Sequence, residues 1–331
     1  MALAGIGFLL GAVVSLATSW VLVSRLERVG ERFGLSEALL GIVAALAADA
    51  PEITASITAL SQHEKAIGAG VVIGSNVFNL AALHGLGAVA AGFIALHRRV
   101  VLLGGAVGLW VAVLCMAAVE GVLSPVVSLG VALVAIIPYL VVLGVAGSRL
   151  ELLPGPKRAK RWIISAVNEE ELELEVAIRP TRGRPIDALV ALGALVVVVA
   201  ASIAMERGAS TLGHHFHVAD VVIGGIVLAA VTSLPNAVAA VHLARIGRGA
   251  AAFSTALNSN NFNVLAGLLI PGVILGLSTP STPGTLTAAW YVGLTVLTLV
   301  LAYLGRGLGR RAGWSIIAGY VIFVVCLVGV S

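Results

Sequence analysis

The sequence predicts an all-α polytopic membrane protein whose ten transmembrane helices form two inverted-topology five-helix repeats. Three observations carry this prediction: the composition, the apolar runs with the side on which their flanking basic residues fall, and an internal match between the two halves. Of 331 residues, 59% are hydrophobic and 11% charged, with 39 glycines and a mean hydropathy of +1.07. No ordinary soluble domain has that balance. The net charge of +4 would point to nucleic acid in a soluble chain. Here it reports charged loops, and no nucleic-acid partner is expected.

A helix needs about 20 apolar residues to cross the bilayer core. Runs of that size fall at approximately 2–24, 36–61, 66–91, 100–119, 124–146, 186–205, 218–243, 249–275, 286–304 and 312–330. Barrel strands would be half as long and would alternate, which these do not. The first run is longer than a signal-peptide core and ends at Arg25 without a small-residue cleavage site, so it is expected to be a retained span. Loops after odd-numbered spans carry Arg25, Arg28 and Arg32; Arg98 and Arg99; eight basic residues of the central loop; Arg245 and Arg248; and Arg306, Arg310 and Arg311. The opposite side has only Lys65 and Arg207. Lys and Arg favour the cytoplasmic side, so both termini are expected outside, with the protein in the plasma (inner) membrane as a monomer.

The sizeable polar segment, residues 147–185, begins with Pro154, Gly155, Pro156 and a basic cluster and runs on through "NEEELELEVAIRP". Its alternating "ELELEVAI" fits a short strand or hairpin, although a charged cytoplasmic connector is the plainer reading. It is too short for a domain of its own. It divides the chain into an N-terminal five-helix repeat (1–146) and a C-terminal one (186–331). Cys115 and Cys326 lie in separate apolar runs and suggest neither a disulfide framework nor a metal knuckle.

An offset of 184 residues aligns "GIVAALAADAPEITASITAL" (41–60) with "GIVLAAVTSLPNAVAAVHLA" (225–244), without a gap. The same offset carries "IGSNVFNLAAL" (73–83) onto "LNSNNFNVLAG" (257–267). Pro51 pairs with Pro235, Ser75 with Ser259, Asn76 with Asn260, Phe78 with Phe262 and Asn79 with Asn263. With five spans per half, the second copy enters from the opposite side, as in many secondary transporters.

Each copy holds its own chemistry. Pro51 and Pro235 remove an amide donor inside a span and free a carbonyl one turn back, near residues 47 and 231. Such a break is tolerated where the loosened backbone lines a cavity. Beside it stand Asp49, Glu52 and Thr54 in the first copy, and Thr232, Ser233 and Asn236 in the second. Ser75 with Asn79, and Ser259 with Asn263, share a helical face at i and i+4. Carboxylates, amides, hydroxyls and carbonyls together are the oxygen set that hard cations such as Na⁺ and Ca²⁺ prefer. No His or Cys joins the repeats at aligned positions, which argues against zinc or copper. An intramembrane acid costs at least about 2.5 kcal/mol at the bilayer centre, which marks Asp49 and Glu52 as functional. Polar residues also bind membrane helices together, and Asn76 and Asn260 are read equally as caps or cross-links.

These paired segments resemble the alpha repeats of the cation/calcium exchanger superfamily, whose pattern is roughly G-T-S-x-P-E followed by G-S-N-x-x-N or G-S-N-x-x-D. The resemblance implies broken second, third, seventh and eighth helices around cation sites near the midplane. It makes Glu52 the first repeat's central carboxylate, completed by Ser75 and Asn79. Thr232, Ser233, Ser259 and Asn263 match the second repeat's ligands, and Ala45 and Ala229 lie where the family uses backbone carbonyls. Two departures stand out. Asn236 replaces the acid that normally follows the second proline, and Ala48 and Asp49 replace the first repeat's hydroxyl pair. Both carboxylates, Asp49 and Glu52, therefore come from one helix. They either neutralise a dication together or share a proton, which favours proton coupling or a different ion stoichiometry.

The expected function is secondary antiport of Ca²⁺ or another cation against Na⁺ or H⁺, with no cofactor. The alternative is a degenerate exchanger homologue that binds cations without turnover. An intramembrane enzyme is the weakest reading, since no nucleophile–base pair or metalloprotease motif is present. Three features stand outside this scheme. "HHFH" (His214, His215, His217) is either a metal-collecting tract or, more plainly, a wet loop. His84 either relays protons to the site or holds the structure by a hydrogen bond. Glu120 is expected to be solvated at a span end.

Overall fold

The structure, a computed structural model, describes residues 1–33, 43, 45–144, 158, 162, 164, 165, 183–245, 247 and 249–331. The expected strand or hairpin at 171–178 lies outside them. In the first half, α1 (Ala2–Arg32) precedes α2 (Ala50–Ser61) and α3 (Lys65–Asn79). The α3 helix runs on through a π-helical segment (Leu80–Leu86) into α4 (Gly87–Ala91), and α5 (Arg98–Val119) and α6 (Pro125–Gly144) follow. The second half opens with α7 (Pro185–His215). Next come α8 (Asp220–Val222), a π-helical segment (Ile223–Leu228), α9 (Ala229–Thr232) and α10 (Leu234–Arg245). Then α11 (Gly249–Phe262) continues through a π-helical segment (Asn263–Leu269) into α12 (Ile270–Leu275), followed by α13 (Thr282–Gly305) and α14 (Arg310–Val330).

Among the described residues, seven helices are long and apolar enough to cross a membrane, and the pair Asp220–Thr232 and Leu234–Arg245, bent by 45°, makes an eighth. The two remaining expected spans differ for separate reasons. The first part of 36–61 lies largely outside the described residues. The 249–275 stretch is continuous helix, but Asn258, Asn260, Asn261 and Asn263 lower its hydropathy. The four asparagines thus hold this helix below the apolarity of the other long helices. Several helices also run longer than their apolar cores. The run at 186–205 is observed as Pro185–His215, and that at 2–24 as Ala2–Arg32.

The α3 helix is the centre of the molecule. With its continuation to Ala91, its most apolar stretch is 89% buried, against 28% for α1. Glycine allows this. A Cβ added at Gly74 would stand 2.2 Å from the Gly225 carbonyl oxygen, and one at Gly224 would stand 2.3 Å from that of Ile67. Backbone meets backbone where α3 crosses the second half, as small residues permit in membranes.

The equivalent helices α1 and α7 pack antiparallel. Gly11 lies against Ala201 and Met205 and Gly208 against Ala4 and Phe8, with Ser15 bonded to Ser202 at 2.9 Å. At one end Arg25 pairs with Asp187 at 2.6 Å. Antiparallel equivalents are what inverted repeats require. Large apolar side chains such as Leu3, Trp20, Val134 and Ile274 remain exposed, as a lipid-facing surface demands.

A small sheet was not foreseen. Strands β1 (Phe93–Ala95) and β2 (Gly307–Gly309) pair antiparallel, with Ile94 opposite Leu308. Gly307, at φ +143°, approaches the Ile94 carbonyl oxygen so closely that a Cβ would meet it at 2.2 Å. Only glycine fits there.

Candidate cation site

The two broken helices have the same local shape. Asp49 (φ −82°, ψ −1°) precedes α2, and Ser233 (φ −86°, ψ −2°) joins α9 to α10. Each is followed two residues later by the proline near a helix start, where its missing amide is tolerated. The ladder then resumes, with Ile53 N donating to the Asp49 carbonyl and Ala237 N to that of Ser233, both at 3.0 Å. The expectation for Ala45 and Ala229 is modified. Their carbonyls accept the Asp49 and Ser233 amides at 3.0 and 3.2 Å, which leaves Ala45 a second lone pair for a ligand, while that of Ala229 is shared with the Thr232 hydroxyl at 3.3 Å.

Four side chains meet across the two breaks. Ser233 Oγ donates to Glu52 Oε1 at 2.9 Å, and Asn236 Nδ2 donates to Asp49 Oδ1 at 3.0 Å. In repeat register these are one contact made twice, because 233 is equivalent to 49 and 236 to 52. Asp49 Oδ1 also accepts from Ser259 Oγ at 2.6 Å. That bond has no counterpart, because Ser75 Oγ donates to the Val72 carbonyl of its own helix at 3.0 Å. Thr232 likewise spends its hydroxyl proton on its own helix, on the Leu228 carbonyl at 2.9 Å.

An asparagine lattice repeats the symmetry. Asn76 Nδ2 donates to the Asn260 carbonyl at 3.1 Å, and Asn260 Nδ2 donates to the Asn76 carbonyl at 3.2 Å. Asn79 Nδ2 reaches Asn260 Oδ1 at 3.1 Å, and Asn263 Nδ2 reaches Asn76 Oδ1 at 3.2 Å. Self-complementary pairing of this kind is the signature of a two-fold axis. Asn76 and Asn260 are therefore cross-links between the halves. In both halves a π-helical segment begins at or one residue after the second asparagine, at Leu80 and at Asn263. Such segments are frequent at functional sites, and no residue pattern announced them.

All of these polar side chains are buried, and four of their oxygens have no donor: Asp49 Oδ2, Glu52 Oε2, Asn79 Oδ1 and Asn263 Oδ1. Buried polar atoms are nearly always satisfied. Carboxylate and amide oxygens left over together form a donor set for a hard cation. Among the described residues, no group of three or more His, Cys, Asp or Glu side chains stands together.

His84 is buried, shares a hydrogen bond with the Phe253 carbonyl at 3.1 Å through Nε2 and lies against the Phe253 ring, while its Nδ1 has no hydrogen-bond partner. His214 pairs with Asp220 at 3.1 Å, while His215 packs edge-on against Phe216. Glu120 is only partly exposed, and its Oε1 is buried without a partner, so full solvation does not hold.

A cleft of about 850 Å³ runs between α1 and α10. Ala48, Pro235 and Asn236 line its inner end, and Glu27 and His242 line it further out. Its lining thus runs from Asn236, the partner of Asp49, toward the end of the molecule that carries Arg25 and Arg28.

Comparison with known proteins agrees with this geometry. The family profile "Sodium/calcium exchanger protein" matches residues 3–147 and 187–329. The inner membrane protein YrbG of Escherichia coli (strain K12) is 23% identical over 90% of this chain and 89% of its own length. The putative antiporter CaxA of Alkalimonas amylolytica is 34% identical over 89 residues, a stretch spanning 27% of this chain and 28% of that relative. In fold, the H⁺/Ca²⁺ exchanger CAX superposes with a TM-score of 0.71 at 13% identity, covering 98% of this chain and 85% of that one. The sodium-calcium exchanger NCX_Mj gives 0.62 at 22% identity, covering 98% of each chain. The profile accounts for nearly the whole sequence in two blocks that coincide with the two structural halves. This chain is an integral membrane protein of the sodium/calcium exchanger family.

Proposed function

We propose that this protein is a secondary antiporter that exchanges Ca²⁺, or another hard cation, for Na⁺ or H⁺ by alternating access. The observation that carries the reading is the set of donor-less buried oxygens beside Asp49 and Glu52, placed where two inverted repeats cross. Glu52 is the principal ligand and Asp49 the second charge, with Asn79, Asn263, Ser259 and Ser233 completing an oxygen shell. Ser75, Thr232, Asn236 and the Ala45 and Ala229 carbonyls offer further lone pairs around it. Two carboxylates neutralise one dication. Emptied of it, they repel each other at close range until protons or monovalent cations replace it, which gives obligatory exchange a physical basis.

Division into halves at 1–146 and 186–331 follows the repeat. The Arg-rich ends face the cytoplasm by the distribution of basic residues, placing both termini outside and the 850 Å³ cleft on the inner side. A single copy contains both halves of the site, so the functional unit is a monomer in the plasma (inner) membrane. Flux from proteoliposomes under Na⁺, K⁺, Ca²⁺, Mn²⁺ and H⁺ gradients tests the reading. Ca²⁺ movement should follow a Na⁺ or H⁺ gradient and vanish in Glu52→Gln, which should remain monodisperse. Unchanged flux in that variant, or cation binding with no flux in the parent, refutes it.

A further inference from the structure

A second polar contact, unused by the cation site just described, joins α7 to the turn between α2 and α3. Glu206 and Ser210 lie one helical turn apart on α7 and face Gln62 and Glu64. Gln62 Nε2 donates to Glu206 Oε2 at 3.1 Å, and Ser210 Oγ donates to Glu64 Oε1 at 2.8 Å. Each carboxyl group thus has one satisfied oxygen. The other two, Glu64 Oε2 and Glu206 Oε1, are buried without any donor, and the two groups interact directly with each other.

Glu206 is 0% exposed. Two carboxyl groups in such a place are relieved either by a proton shared between them or by a cation. Among the described residues, Arg207, next along α7, acts on Glu206 through its field, from an exposed position and without a salt bridge. His63, in the turn, is exposed. Lys65 donates instead to the Leu277 carbonyl at 3.4 Å. The α1 helix brings no charged side chain to this end, and the π-helical segment Ile223–Leu228 carries none. Among the described residues, no salt bridge joins Glu64 or Glu206 to a basic side chain.

We propose that Glu64 and Glu206 form a second cation site, which takes Ca²⁺ or a similar hard dication between Glu64 Oε2 and Glu206 Oε1. The Ser210 hydroxyl and the Gln62 amide supply further oxygen lone pairs beside it. Ten residues of helix separate Gln62 from Glu52, about 15 Å along α2, so the two sites are distinct. The second one lies at the end of the molecule opposite Arg25 and Arg28. Filled, it ties α7, and α1 packed along it, to the turn that leads into α3. Protons compete for the same two oxygens.

Calorimetric Ca²⁺ titration of the Asp49→Asn/Glu52→Gln double variant reads this site alone. One residual site is expected, weakening as pH is lowered and losing at least about tenfold in affinity when Glu64→Gln or Glu206→Gln is added. Should Glu206→Gln fail to fold, Glu64→Gln in the solvent-side turn gives the same reading. Absence of residual binding overturns the proposal. So does residual binding that ignores both substitutions, or proton uptake by the pair without any Ca²⁺ binding. If the double variant binds Ca²⁺ like the parent, the midplane site is what fails. The second site is then judged by loss of one bound equivalent in Glu64→Gln of the otherwise unchanged chain.

Discussion

Asp49 in the first half and Ser233 in the second occupy one place in two copies of a backbone, at φ −82°, ψ −1° and φ −86°, ψ −2°. Their contacts correspond as well, since 49 meets 236 and 233 meets 52. Charge does not correspond. Both carboxylates sit on the first half, and the second half answers with a hydroxyl and an amide. The difference teaches that backbone symmetry and charge placement are separable. Asparagines and glycines near the axis fix the crossing, and the carboxylates can be distributed on either side of a contact. Asn236 is not simply a lost acid. It is the neutral partner, at 3.0 Å, of an acid that stands on the other half.

The largest effect should come from removing the asymmetry altogether. Asp49→Asn with Glu52→Gln leaves two neutral halves, and Ca²⁺ binding at the midplane should weaken by at least about 1,000-fold, roughly 4 kcal/mol. Calorimetry measures it. A double variant within about tenfold of the parent would mean that the cation is neutralised elsewhere.

Moving the charge tests separability more finely. Asp49→Asn alone should cost about 100-fold in affinity, roughly 2.7 kcal/mol. Adding Asn236→Asp returns a carboxylate to the same contact from the opposite half and should recover most of that loss. Failure to recover would show that position 236 does not face the cation.

A third measurement follows affinity with pH. Cation binding needs the carboxylates ionised, so protons compete, and affinity should fall as pH drops from about 8 to about 5. Asp49→Ser leaves one carboxylate and should flatten that dependence. A parent protein with constant affinity over the range would reduce Asp49 to a packing residue.

The smallest effect concerns the symmetric part. Asn76→Ala and Asn260→Ala each leave the opposite backbone carbonyl without its side-chain donor. Each should destabilise the fold by about 1–2 kcal/mol, and by similar amounts. Thermal unfolding in detergent compares them, and clearly unequal shifts would break the two-fold reading. Because the two residues belong to one lattice, the double substitution should not be additive.

Much of this was legible along the chain. The 184-residue register named Asp49, Glu52, Ser75, Asn79, Ser233, Asn236, Ser259 and Asn263 before any coordinates. The cost of polar groups in hydrocarbon makes such positions stand out in an apolar sequence. The retreat of Ser75 and Thr232 onto their own helices was not legible, since a hydroxyl finds a local carbonyl or a distant carboxylate according to its rotamer. Glu206 escaped for another reason. Hydropathy ends its span near residue 205, while the helix continues to His215 and draws the glutamate into the interior.

By itself, the sequence determined the membrane class, the two inverted halves and the pair of prolines, with two acids beside the first and none beside the second, because span length, the sidedness of arginines and repeat register are all one-dimensional quantities. Only the tertiary structure decided which atom faces which. The Asn76–Asn260 lock, the contact between Asp49 and Asn236, the π-helical segments and the buried Glu64–Glu206 pair all arise where helices cross. A crossing is set by how closely backbones approach at Gly74, Gly224 and Gly225, and by where each side chain finds its hydrogen-bond partner.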